Sequence, residues 1–107
     1  MSDNYISPQE LEEKVINELK GVFDPEIPVN IYDLGLIYDI AITEQNEVVV
    51  LMTLTSPSCP EAMSLPAEVQ ERIKQIEGVK NAKVLLTFDP PWDKSMMSEI
   101  ARFELGF

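Results

Sequence analysis

Residues 35–61 read GLIYDIAITEQNEVVVLMTLTSPSCPE, and this stretch decides the fold. Leu36, Tyr38, Ile40 and Ile42 alternate with Ile37, Asp39, Ala41 and Thr43, a period of two that predicts a strand with one mainly apolar face. Glu44-Gln45-Asn46 supplies the turn. Val48 to Thr55 is apolar on both faces and rich in β-branched residues, which predicts an interior strand running antiparallel to the first. Ser58 and Glu61 then have the spacing of a helix-capping box, which puts Cys59 in the first turn of a helix. Leu65, Val69, Ile73 and Ile76 form the buried stripe of that helix, and Gly78 ends it. Pro66 falls inside the stripe and deletes a backbone hydrogen bond, so a kink or two consecutive short helices is expected.

Working outward, Ser7-Pro8-Gln9-Glu10 is a capping box with proline at the first helical position, and Ile6 can staple against Leu11. Leu11, Val15, Leu19 and Val22 follow at helical spacing, with Gly21 as the stop. Asp24-Pro25-Glu26-Ile27-Pro28 must be irregular, because each proline lacks a donor and pushes its predecessor towards an extended conformation. Downstream, Val84, Leu86 and Phe88 alternate with Lys83, Leu85 and Thr87 in a third strand, reached by a helical crossover and hence parallel to the second. After the proline-stiffened loop Asp89-Pro90-Pro91-Trp92-Asp93, a short last helix uses Met96 or Met97, Ile100 and Phe103 before Gly106. The expectation is one α/β (α+β) domain over residues 1–107, ordered α-β-β-α-β-α, with helices packed on a three-stranded mixed sheet. Periodicity leaves the strand order open.

The 107 residues are 45% hydrophobic and 25% charged, ordinary globular values that remove compositional support for disorder or a disulfide scaffold. Eight basic against nineteen acidic side chains give a net charge of −11, and the first 39 residues hold nine acids and two bases. Unaided binding to nucleic acid or to an anionic membrane is therefore not expected, since both need a Lys/Arg surface. The longest apolar run, Val48 to Met52, cannot span a bilayer, and the acidic start lacks a signal peptide's basic region, so a cytoplasmic location is expected. With one cysteine, Cys59, and no histidine, the chain has no internal disulfide, no nucleophile–histidine pair and no imidazole metal site. A four-cysteine iron–sulfur site would need a second protomer in a homodimer, a client protein or non-cysteine ligands.

Cys59 is the strongest nucleophile and the one soft-metal ligand available, and a helix N-terminus would favour its thiolate by about 0.3–1 kcal/mol, against the surrounding acidity. The plainer reading is a small buried hydrophobe. Asp24, Glu26 and Asp33 crowd one loop, which suits either a hard-metal site or ordinary turn capping. Thr53 and Thr55 are typical strand residues. Trp92 either covers the edge of the core or offers a partner contact.

Three segments taken together resemble a known family: Phe23-Asp24-Pro25-Glu26-Ile27-Pro28 running on through Tyr32-Asp33-Leu34-Gly35, then Thr53-Leu54-Thr55-Ser56-Pro57-Ser58-Cys59-Pro60, then Pro90-Pro91-Trp92-Asp93 with Met97-Ser98-Glu99 and Leu105-Gly106. In this order the chain is similar to the SufT-like metal–sulfur cluster assembly family, which also includes the PaaD-type maturation proteins and the core domain of the eukaryotic cytosolic iron–sulfur targeting factor. The resemblance implies that Asp24, Glu26, Thr55 and Cys59 gather near one pocket, with Cys59 as a transient ligand of iron or of a cluster edge. It implies a non-enzymatic accessory or transfer factor working with iron–sulfur scaffold machinery and client apoproteins, whose cargo is iron or a labile iron–sulfur cluster and which holds none tightly. The alternative is an acidic adaptor that joins scaffold to client without touching metal. A thiol-dependent enzyme is the weakest reading, because no histidine can serve as general base.

Overall fold

The computed structural model describes residues 6–25, 27–55 and 62–106. Helix α1 spans Pro8–Leu19, β1 Ile37–Ile42, β2 Glu47–Met52, α2 Leu65–Lys74, β3 Asn81–Leu86 and α3 Glu99–Leu105. The three strands lie in the order β1-β2-β3, with β1 antiparallel and β2 parallel to their neighbours β2 and β3, which makes the sheet mixed as expected.

Helix α1 starts as its sequence dictates: the Ser7 hydroxyl accepts from the Glu10 amide at 3.3 Å, with Pro8 opening the first turn. Leu11, Val15, Leu19 and Val22 are all buried. The hairpin turn relies on Asn46, whose φ of +62° is tolerated by asparagine and whose side chain donates to the Ile6 carbonyl at 3.1 Å. Val48, Val50 and Met52 of β2 face the helices, where they meet Ile40 and Ile42 of β1, Ala82 and Val84 of β3, and the buried stripes of α1 and α2. The opposite face, with Val49, Leu51 and Leu85, is more open to solvent.

Of the two outcomes expected at Pro66, the structure has two consecutive short helices rather than a kink: the 3-10 turn Ala62–Ser64 runs directly into α2, and Pro66 lies in the first turn of α2, where its missing N–H costs nothing. Two other expectations change in detail. The second helix also stops at Lys74 rather than Gly78, because the Gln75 and Ile76 amides tighten onto the Arg72 and Ile73 carbonyls; Gly78, at φ +101°, reverses the chain later. The last helix turns a different face inward. Ile100 and Phe103 are 63% and 86% exposed, whereas Met97 and Ala101 are buried and Leu105 is partly so. Met97 begins both an i, i+3 and an i, i+4 stripe, and the choice falls to the anchors of the helix: the Ser98 amide donates to the Asp33 carbonyl at 2.8 Å, and the Arg102 guanidinium reaches back to the Ser95 carbonyl at 2.7 Å. Those tertiary bonds set the rotation of α3 against its hydrophobicity.

Candidate functional site

The loop after α1 is built from turn chemistry. Phe23 bridges to Asn30, and the Asp24 amide donates to the Val29 carbonyl at 3.4 Å. The Asp24 carboxylate accepts from the Ile27 amide at 3.0 Å, which shapes the two-proline turn, and the residue is 5% exposed. Asn30 and Asp33 bind each other reciprocally: the Asp33 amide donates to Asn30 Oδ1 at 2.9 Å and Asn30 Nδ2 donates to Asp33 Oδ2 at 2.8 Å. Asp33 is thus a capping residue of its own turn.

A relay of backbone bonds carries this loop to the end of the sheet. The Ile31 amide donates to the Val22 carbonyl at 2.8 Å, the Leu36 amide to the Ile31 carbonyl at 3.1 Å, and the Thr53 amide to the Leu36 carbonyl at 2.8 Å. Asp24 follows Val22 by two residues and Thr55 follows Thr53 by two in the sequence. Thr53 is fully buried and Thr55 half-buried. The other two members of the expected pocket, Glu26 and Cys59, and with them the capping box at Ser58 and Glu61, lie outside the described residues. Among the described residues, no group of three His, Cys, Asp or Glu side chains could hold a metal ion.

The C-terminal segment closes over the same loop. The Trp92 indole donates to the Leu34 carbonyl at 2.7 Å, which assigns that ring to the edge of the core. The Tyr38 hydroxyl donates to the Pro90 carbonyl at 2.7 Å and lies 3.6 Å from the Met96 sulfur. Gly35, at φ +84°, passes so close to Met96 that a Cβ would stand 2.3 Å from its carbonyl oxygen. Sequence reading missed Gly35 and Tyr38 as fixings, because neither role shows in local periodicity; a glycine between Leu34 and the first strand was the one visible signal. In the outer part of this segment the Asp93 carboxyl is held below its ordinary value, first by the Ser95 hydroxyl at 2.6 Å and then by the Ser95 amide.

Residues 12–86 match the family described as iron–sulfur cluster assembly protein. The chain belongs to this family. The SufT-like resemblance carried by the Asp-Pro-Glu, Thr-x-x-x-Cys and Pro-Pro-Trp segments is thereby established. The chain is 50% identical over 96 residues to the Fe-S protein maturation auxiliary factor of Porphyromonas gingivalis, covering 90% of this chain and 91% of the relative. It is 35% identical over 85 residues to the Fe-S protein maturation auxiliary factor SufT of Staphylococcus aureus, covering 79% of this chain and 97% of that protein. A crystal structure of a domain of unknown function, DUF59, from Bacillus anthracis superposes with a TM-score of 0.85 at 36% identity, covering 92% of this chain and 94% of the other. No helix of the described residues is long and apolar enough to cross a membrane.

Proposed function

We propose that this iron–sulfur assembly domain is an accessory factor in the maturation of iron–sulfur proteins, in which the Cys59 thiolate ligates iron or a cluster edge transiently while Thr55, Asp24 and Glu26 shape the surrounding pocket. The cluster is cargo in this reading, and one thiolate per chain favours handing it on over storing it. The observation that carries the proposal is the family match together with the relay Val22–Ile31–Leu36–Thr53, which ties the loop holding Asp24 to Thr53, six residues before Cys59 in the sequence. Partners are then a cluster scaffold and client apoproteins, and a homodimer paired through Cys59 would supply two of the four thiolates a cluster usually takes. The chain does this work as a single domain without turnover chemistry of its own.

The test is Cys59→Ser in cells lacking the native gene. Aconitase specific activity should stay at the level of the deletion, while the purified variant unfolds within ~1 kcal/mol of wild type. Full restoration of aconitase by Cys59→Ser rejects the thiol ligand. In that event the adaptor reading stands.

A further inference from the structure

The seam between α1 and β1 holds two adjoining cavities of about 170 and 230 Å³ that share Glu12 and Ile40. They form one groove. Its α1 wall is the i, i+3, i+7 stripe Gln9, Glu12 and Ile16, and its β1 wall is Ile37, Ile40 and Ile42 with Asp39 at the rim. Isoleucine side chains thus line the groove together with the carboxylates of Glu12 and Asp39, and Tyr32 and Tyr38 line its larger cavity. The Lys20 ammonium lies 5.4 Å from the Tyr32 ring centroid, so the chain already places a cation on this aromatic wall.

β1 is also an edge strand among the described residues. The Thr43 amide donates inward to the Glu47 carbonyl, and Ala41 and Asp39 pair with Val49 and Leu51 at the same two-residue spacing. By antiparallel alternation, the amides and carbonyls of Ile40 and Ile42 point off the sheet. The Ile40 amide is met there by the Asp39 carboxylate of its own strand, at 3.0 Å. Asp39 therefore guards the edge in the free protein, as charged side chains do on many edge strands.

The geometry points to a docking site for an extended, basic segment of a partner protein: its main chain adds to β1 at Ile40 and Ile42, and a Lys or Arg side chain lies between Glu12 and Asp39. Charge complementarity selects this occupant. The groove carries two carboxylates against the one Lys20 ammonium beside Tyr32, and the whole chain carries −11, so an acidic segment would be repelled. Main-chain pairing supplies affinity and the alternating side chains supply selectivity, as in other strand-addition interfaces. The inference rests on the maturation reading for the bearer of that segment, a scaffold or client.

The probe is the blocked peptide Ac-VRVKVR-NH2, with Ac-VEVEVE-NH2 as its charge-reversed control, titrated into the isotope-labelled full chain. The basic peptide should shift the Ile40 and Ile42 amides saturably, more weakly as salt rises from about 50 to 300 mM. Glu12→Gln combined with Asp39→Asn, which keeps the amide acceptor at position 39, should weaken binding at least ~10-fold, whereas Glu10→Gln combined with Glu13→Gln should change it less than ~2-fold. Absence of binding, equal binding of the acidic peptide, shifts centred away from β1, or equal effects of the two variants would each overturn the assignment. The titration reads the groove alone and the aconitase assay reads Cys59, so failure of one is distinguishable from failure of the other.

Discussion

Gly35→Ala is the most informative perturbation of the strap that holds the C-terminal segment over the candidate site. Two costs add. The first is conformational: at φ +84° an L side chain carries a penalty of roughly 1–2 kcal/mol. The second is steric and tertiary. A Cβ would lie 2.3 Å from the Met96 carbonyl oxygen and 2.8 Å from its carbon, so the Met96 backbone must retreat by roughly 1 Å. That retreat stretches the Ser98–Asp33 bond, now 2.8 Å, beyond useful length and loosens the Trp92–Leu34 bond, now 2.7 Å. At about 1 kcal/mol for each bond lost, the total comes to roughly 3–4 kcal/mol. Gly78→Ala is the internal control. It has positive φ as well, but the atoms its Cβ meets belong to the Ile6 side chain, nearest at Cδ1, 2.6 Å away, which can turn aside, so roughly 1–2 kcal/mol is expected. Urea unfolding of both variants gives the difference, from which the shared backbone penalty cancels. Trp92 is the single tryptophan, so its emission should shift to the red in native Gly35→Ala and stay unchanged in Gly78→Ala. Equal destabilisation of the two variants, with unaltered emission from both, would refute the view that Gly35 exists to admit Met96.

Ile73→Ala removes a fully buried side chain from the inward stripe of α2 and should cost ~2–5 kcal/mol, read as a lowered urea midpoint with unchanged slope. Trp92→Phe keeps most of the ring but abandons the Leu34 carbonyl, so a loss of ~1–3 kcal/mol is expected from the same titration. Because the Asp93 carboxyl is held below 3.8 in the folded chain, its contribution to stability is present above the unfolded value and is lost as pH falls through the lower folded one. The stability gap between wild type and Asp93→Asn should therefore be constant near neutrality and close below pH ~4; a gap independent of pH would remove the assigned role of Ser95.

What could be read from the sequence alone was whatever depends on near neighbours in the chain. The alternation at residues 36–43, the β-branched run after it and the Ser7 capping box each produced the element they specify, because strand and helix periodicity and caps are local properties. The mixed sheet followed from a short turn and a helical crossover, whose lengths restrict how strands can pair. Of the candidate site, the Asp24 turn was legible as turn chemistry, since a carboxylate before proline reaches an amide three residues on. Tertiary structure decided the rest. It chose Met97 and Ala101 over Ile100 and Phe103 as the inward face of α3, because two bonds to distant or preceding carbonyls outweigh a modest difference in apolar area on a seven-residue helix. It put Trp92 on the Leu34 carbonyl, 58 residues away, and made Gly35 a point of close approach to Met96. It also turned Asp39, an ordinary outward residue in the alternation, into the guard of β1, an edge strand among the described residues. Such roles depend on which backbone groups remain unpaired once the sheet has formed, and hydrophobic periodicity carries no record of that.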